Sequence, residues 1–211
     1  MTIHAYTSFS YSYLNRARVL AATLRRQHPD WVIWAVLTDK APDGFELDWN
    51  AEGYDHVITA EDLVGTSAEQ WLFGHDVVEA CTAVKGAAMQ RILKEPDCEK
   101  LFYFDPDIAV LNPMSEVVDL LDDNSIVLTP HQIEPEPQAN KRAIMDNEIA
   151  SLTYGVFNLG FIAICNDGEG RRFAKWWDER LQDWCHDRLD IGVFVDQKWC
   201  NLVPCFFDGV K

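Results

Sequence analysis

Asp105 and Asp107 are the residues whose type and spacing point most directly to chemistry. They interrupt an apolar run, Lys100-Leu-Phe-Tyr-Phe-Asp-Pro-Asp-Ile-Ala-Val-Leu-Asn112. Residues two apart in an extended segment point to the same side, so both carboxylates face one way with Cα atoms about 6.5 Å apart. That spacing can bracket one hard cation. Pro106 fixes its own φ and biases Asp105 towards an extended conformation, which sets part of the geometry before any ligand arrives. Two carboxylates beside so apolar a strand need a metal ion, a basic partner or open water. An exposed acidic turn at a strand end would also accommodate them.

Other residues could share a ligand with this pair. Lys85 stands four residues from both Cys81 and Met89, near the apolar stripe of a helix expected from about Asp76 to Leu93. A lysine so placed either snorkels outward or pairs with an anion such as the Asp pair or a phosphate. Asn158 lies inside the apolar stretch Val156 to Ile164, flanked by Gly155 and Gly160. Its amide needs partners, from neighbouring backbone or from a hydroxylated ligand. Asp196 and Gln197 open a short helix, where Asp196 could equally serve as an N-cap. His131 follows a strand directly, as a metal or acceptor ligand or as a loop histidine bonded to backbone.

The elements that must position these residues follow from periodicity. Ile3 to Tyr6 reads as a strand, followed by a Ser/Tyr-rich turn, Thr7 to Ser12. A helix follows, with Tyr13, Ala17, Leu20, Ala21 and Leu24 on one face and Arg16, Arg18, Arg25 and Arg26 mostly off it. Trp31 to Thr38 is a buried strand, so the chain opens as a βαβ unit of a parallel sheet. Ligands of such sheets sit beyond the carboxyl ends of the strands, which makes Tyr6, Thr7, Ser8 and Asp39 nucleotide-contact candidates by position. Asp39 could instead cap the turn that follows it. His56 to Ile58 is a third strand. The long helix then buries Val77, Cys81, Val84, Ala88 and Ile92. Beyond the Asp pair, Ile108 to Leu111 reads as a short strand, Pro113 to Leu121 as a helix and Ser125 to Thr129 as a strand. Residues 132–142 form a Pro-rich loop. Phe173, Trp176, Trp177, Leu181 and Trp184 repeat at helical spacing as core, and Pro204 to Phe207 is strand-like.

Composition narrows the function classes. The chain has 211 residues, 48% of them apolar, with eight Trp and eleven Phe, which excludes a disordered chain and suits one packed domain. A formal charge of −16 argues against nucleic acid and anionic membrane surfaces. A phosphorylated small molecule then needs a local cation. No apolar run is long enough to span a bilayer, and the N-terminus lacks the features of a signal peptide, so the expectation is a cytoplasmic protein with no integral membrane segment. Six cysteines without zinc-type spacing read as reduced, mostly buried thiols.

Four stretches, in order, resemble the GT-A glycosyltransferases, in particular the retaining, family-8-like enzymes that include glycogenin and bacterial galactosyltransferases. They are the N-terminal strand and turn, Phe104-Asp-Pro-Asp-Ile108, Phe157-Asn-Leu-Gly-Phe161 and Asp196-Gln-Lys-Trp-Cys-Asn201. The resemblance covers most of the chain. It implies a Rossmann-like α/β fold with a mixed, mostly parallel central sheet flanked by helices. It also implies transfer of a sugar, with retention, from a nucleoside-diphosphate sugar, foremost a UDP-sugar, to a carbohydrate, lipid or protein acceptor. Asp105 and Asp107 would hold Mn²⁺ or Mg²⁺, Lys85 would lie near the diphosphate or donor sugar, and Asn158, Asp196 and Gln197 would face that sugar. Family-8 enzymes usually add a histidine as a third metal ligand near the C-terminal end of the catalytic domain. The chain reaches Lys211 without an evident match, so residues 1–211 read as a single GT-A domain lacking C-terminal elements. Two alternatives are a non-catalytic nucleotide-sugar-binding module and a haloacid-dehalogenase-like phosphatase with Asp105 as nucleophile. Against the phosphatase, Ile108-Ala109 stands where that family has Gly-Thr, and a βαβ half precedes the pair.

Overall fold

The computed structural model describes residues 2–211. Its strands are β1 (Thr2–Phe9), β2 (Val32–Leu37), β3 (His56–Thr59), β4 (Cys98–Phe104), β5 (Ile126–Pro130), β6 (Phe157–Cys165), β7 (Asp187–Arg188) and β8 (Val193–Phe194). The helices are α1 (Leu14–Gln27), α2 (Ala60–Val64), α3 (Ala68–Phe73), α4 (Val77–Ile92), α5 (Ser115–Asp123), α6 (Lys141–Ala143), α7 (Ala150–Tyr154), α8 (Gly168–Trp184) and α9 (Val203–Phe206). A π-helical turn, Ile144–Ile149, joins α6 to α7.

Six strands form one mixed, mostly parallel sheet in the order β3-β2-β1-β4-β6-β5, and β7 pairs with β8 in a separate hairpin. β1 to β4 run parallel, while β6 lies antiparallel between β4 and β5. Alternation along the strands sorts the core into two layers. Tyr6, Leu101, Tyr103 and Ile162 pack towards α4 and α8, whereas Ala5, Phe102, Phe104 and Ala163 pack towards α1 and Leu121 of α5. Helices α4 and α8 cross closely at Gly86, where an added Cβ would lie 2.5 Å from the Asp178 Cα. α4 starts cleanly because Asp76 caps it and Glu79 returns the bond to the Asp76 amide.

Several elements depart from the sequence expectation. β1 continues through Thr7, Ser8 and Phe9, since its parallel ladder with β2 runs on to Phe9 and Leu37, past the last β4 pairing at Tyr6. Ile108 to Leu111 is irregular: Ile108 N–H bonds the Asp105 carbonyl at 3.1 Å and Val110 N–H bonds Thr23 Oγ1 at 3.1 Å, so helix α1 takes the place of a strand partner. Pro204 sits in the first turn of α9, where its missing N–H is harmless, rather than in a strand. Val77 and Trp184 are exposed at the ends of α4 and α8. All six cysteines are free thiols, with Cys98, Cys185 and Cys200 buried and Cys205 exposed. Among the described residues no helix is long and apolar enough to cross a membrane.

Candidate active site

The carboxyl ends of β1 and β4 and the beginning of antiparallel β6 meet at one edge of the sheet, beside the middle of α4. There Lys85, 2% exposed, is the hub. Its Nζ lies 2.8 Å from Asp196 Oδ2 and 3.2 Å from Asp105 Oδ1, and it donates to the Leu159 carbonyl at 3.1 Å. The ammonium also sits 4.2 Å from the Tyr103 ring centroid. Burial by itself lowers the Lys85 pKa, but Asp105 and Asp196 more than reverse this and hold it well above the ordinary lysine value. The lysine therefore pairs rather than snorkels.

Asp196 is 2% exposed, and burial raises its carboxyl pKa against the pull of Lys85. It is not an N-cap, because the helical turn Lys198–Leu202 begins behind Gln197. Val195, just before it, has φ +35°, a conformation that β-branched residues avoid. The strain is held by the Val195 amide, which donates to the His186 carbonyl at 3.0 Å, and by Trp177 Nε1, which donates to the Asp196 carbonyl at 3.3 Å. The β7–β8 hairpin thus delivers the Asp196 carboxylate to α4 at a cost in backbone strain.

Asp105 is held in place from three sides. Its amide donates to the Gly160 carbonyl at 2.7 Å, and its Oδ1 accepts from Tyr103 Oη at 2.6 Å as well as from Lys85. Burial and the neighbouring Asp105 raise the Tyr103 phenol pKa well above the ordinary value, so it stays a protonated donor. Ser8 Oγ lies 3.1 Å from Tyr103 Oη and donates to the Cys81 carbonyl at 2.6 Å, and Tyr6 Oη donates to the Lys85 carbonyl at 3.0 Å. Tyr6, Thr7 and Ser8 are all buried. Gly160 leaves room above the pair: a Cβ there would lie 2.9 Å from Asn158 Oδ1 and 3.2 Å from Asp105 Oδ2. Asn158 is exposed, and its Oδ1 accepts the Gly160 amide at 2.8 Å. Asp107, 52% exposed, faces Arg16 NH1 at 3.6 Å.

An open cleft lies over these groups, lined by Ser8, Tyr13, Cys81, Lys85, Tyr103, Asp105 and Asp107, with Val77 and Val78 on its rim. A second cleft at the ends of β2 and β3 is lined by Tyr11, Thr38, Asp39, Thr59 and Leu72. The two adjoin where Thr38 Oγ1 meets Cys81 Sγ at 3.2 Å. Asp39 accepts the Tyr11 amide with both oxygens, at 2.8 and 3.1 Å, and burial raises its carboxyl pKa. Gln197 and His131 lie elsewhere, in a third hollow with Asn147, Ser151 and Tyr154. Gln197 Nε2 donates to the Tyr154 carbonyl at 3.2 Å, and the His131 amide donates to the Val156 carbonyl at 2.9 Å.

The structure therefore gathers Lys85, Asp105 and Asp196 directly, sets Asp107 and Asn158 at the rim, and leaves Gln197 and His131 apart. Sequence reasoning missed Tyr103 and Arg16. Tyr103 was within reach, since it stands two residues before Asp105 on the same strand face. Arg16 meets Asp107 across 91 residues of chain, and nothing local marks it. For a hard divalent cation, the Oδ2 of Asp105 and the carboxylate of Asp107 are suitable oxygen donors. They fall short of a complete set, and among the described residues no three His, Cys, Asp or Glu side chains come together as ligands.

No protein-family model matches this chain, and no curated protein matches it by sequence. Solved structures do match along its whole length. The galactosyltransferase LgtC, in complex with donor and acceptor sugar analogues, is 17% identical with a TM-score of 0.54 over 100% of this chain and 72% of that one. The glycosyltransferase GlyE of Streptococcus pneumoniae TIGR4 is 16% identical with a TM-score of 0.55, over 100% of this chain and 45% of that one. A glycosyltransferase involved in glycosylation of the major capsid of PBCV-1 is 10% identical, with a TM-score of 0.52 over 100% of this chain and 79% of that one. At such identities the likeness is one of fold. The fold is that of the GT-A glycosyltransferases.

Proposed function

We propose that this chain is a glycosyltransferase that takes a sugar from a nucleoside-diphosphate sugar, foremost a UDP-sugar, to an acceptor hydroxyl with retention and with Mn²⁺ or Mg²⁺. The observation that carries this reading is the buried Lys85 held between Asp105 and Asp196 beneath an open cleft at the strand ends. That edge is where α/β sheets of this kind bind ligands. LgtC, which shares the fold, was solved with donor and acceptor sugar analogues.

In this reading the nucleoside lies in the cleft of Tyr11, Thr38 and Asp39, and the diphosphate crosses towards Asp105 and Asp107. A divalent cation held by Asp105 and Asp107 would neutralise charge on the leaving diphosphate. Lys85 supplies a fixed positive charge below it, already desolvated and held in place, so it needs no reorganisation as the leaving group develops charge. Asp196, buried beneath the cleft, keeps that ammonium in place, and Asn158 faces the sugar. Tyr6 and Thr7 support this floor from within the sheet, and Ser8 reaches the cleft wall. Gln197 is assigned to the acceptor side, where its hollow opens beside Tyr154; an active-site glutamine is also a feature of LgtC. As a phosphatase nucleophile, Asp105 would have to act with Oδ1 already engaged by Tyr103 and Lys85.

Thermal melting with UDP or GDP, with and without Mn²⁺, tests the proposal, because a ligand that binds the native state raises its stability by mass action. The expected result is a metal-dependent shift that disappears in the Asp105→Ala, Asp107→Ala variant. Absence of any shift with either nucleotide would refute it. Hydrolysis of UDP-sugars separates a transferase from a binding module.

A further inference from the structure

We propose that Lys85 and Arg16 act as resident counter-ions of the Asp105–Asp107 pair, so that a divalent cation enters only together with a diphosphate and not before it. This rests on the nucleotide-sugar reading and adds the order in which its ligands assemble. Each of the two carboxylates already has a cationic neighbour. Lys85 lies 3.2 Å from Asp105 Oδ1, and Arg16 lies 3.6 Å from Asp107 Oδ2. The two cations differ in kind. Arg16 is 58% exposed, stacks at 4.7 Å over the Tyr13 ring and can swing aside, whereas Lys85 is enclosed and fixed by Asp196 and the Leu159 carbonyl.

The charge balance follows from these positions. Asp105, Asp107 and Asp196 carry three negative charges against two positive ones on Lys85 and Arg16, so the cluster is left with a single net negative charge. A bare dication would turn that balance positive next to an ammonium that cannot leave, and low local dielectric magnifies the repulsion. Asp105 also offers only Oδ2, since Tyr103 and Lys85 occupy Oδ1. A diphosphate brings two or three negative charges and further oxygen ligands. The cation and the nucleotide should therefore bind cooperatively, each tightening the other by the same factor. Displaced from Asp107, Arg16 is then free at the cleft mouth to meet a phosphate oxygen.

Free Mn²⁺ measured by electron paramagnetic resonance tests this, on wild type, Arg16→Gln and Lys85→Met, each with and without saturating UDP. In wild type UDP should tighten Mn²⁺ binding at least tenfold. Without nucleotide, Arg16→Gln should bind Mn²⁺ about threefold more tightly than wild type, the scale of one exposed ion pair, and Lys85→Met more tightly still. Arg16→Gln changes only exposed groups, so it keeps the test decisive if Lys85→Met fails to fold. Equal Mn²⁺ affinity in wild type with and without UDP, or unchanged nucleotide-free affinity in Arg16→Gln, overturns the proposal. If UDP and GDP fail to bind under every condition, the nucleotide-sugar reading fails instead, and the nucleotide-free comparison still decides whether these cations hold the metal off.

Discussion

Replacing Lys85 by Met keeps most of the side-chain volume and removes one buried charge, so it isolates the ion pairs from the packing of α4. Asp196, 2% exposed, is then left without its cation, and Asp105 keeps only the Tyr103 hydroxyl on Oδ1. Breaking a buried pair by removing one partner costs about 3–5 kcal/mol. At about 2–4 °C per kcal/mol for a domain of this size, the melting temperature should fall by roughly 6–20 °C. The pH dependence identifies the cause. Burial already raises the Asp196 carboxyl pKa and Lys85 opposes that rise, so losing Lys85 raises it further. A group whose folded pKa is raised stabilises the fold most below its unfolded pKa and loses that contribution as pH climbs through the folded value. The deficit of Lys85→Met relative to wild type should therefore be largest near pH 7 and shrink as pH falls towards the ordinary carboxylate range. Urea unfolding at pH 7 and pH 5 measures both quantities, and Asp196→Asn in the Lys85→Met background should recover most of the loss. A deficit below about 1 kcal/mol at pH 7, or one that does not change with pH, would refute the reasoning.

Other consequences can be checked separately. Gly86→Ala forces a Cβ to within 2.5 Å of the Asp178 Cα, so α4 and α8 must separate; a loss of about 1–3 kcal/mol in urea unfolding is expected. Gly160→Ala crowds Asn158 Oδ1 and Asp105 Oδ2 at 2.9 and 3.2 Å, and should weaken the Mn²⁺-dependent UDP shift more than it lowers the melting temperature. Of the six thiols, Cys205 should react first with Ellman's reagent at pH 8, while Cys98, pushed up to about 12 by burial, and the enclosed Cys200 should react only after unfolding.

Much of this architecture was legible because it follows local rules. The apolar run before Thr38 and the periodicity of α1 and α4 specify a βαβ opening and its continuation with little help from distant residues. The errors fell where long-range partners override local preference. β1 outran its expected turn because its ladder with β2 continues to Phe9, and Ile108 to Leu111 lost its strand to a hydrogen bond with Thr23. Pro204 entered a helix whose first turn needs no donor from it.

What the sequence determined by itself is the pair of carboxylates at the end of a buried strand and the need for something to compensate them. A two-residue period fixes that they face one way, and the free energy of a buried charge fixes that they cannot stand alone. Which groups answer that need was decided only in three dimensions. Lys85 comes from a helix 20 residues upstream, Asp196 from just beyond the β7–β8 hairpin after the strained Val195, and Arg16 from the first helix. Coulomb energies depend on distance and dielectric, neither of which is written along the chain, so the same charges that look like an acidic turn in sequence become a balanced cluster once the sheet edge gathers them.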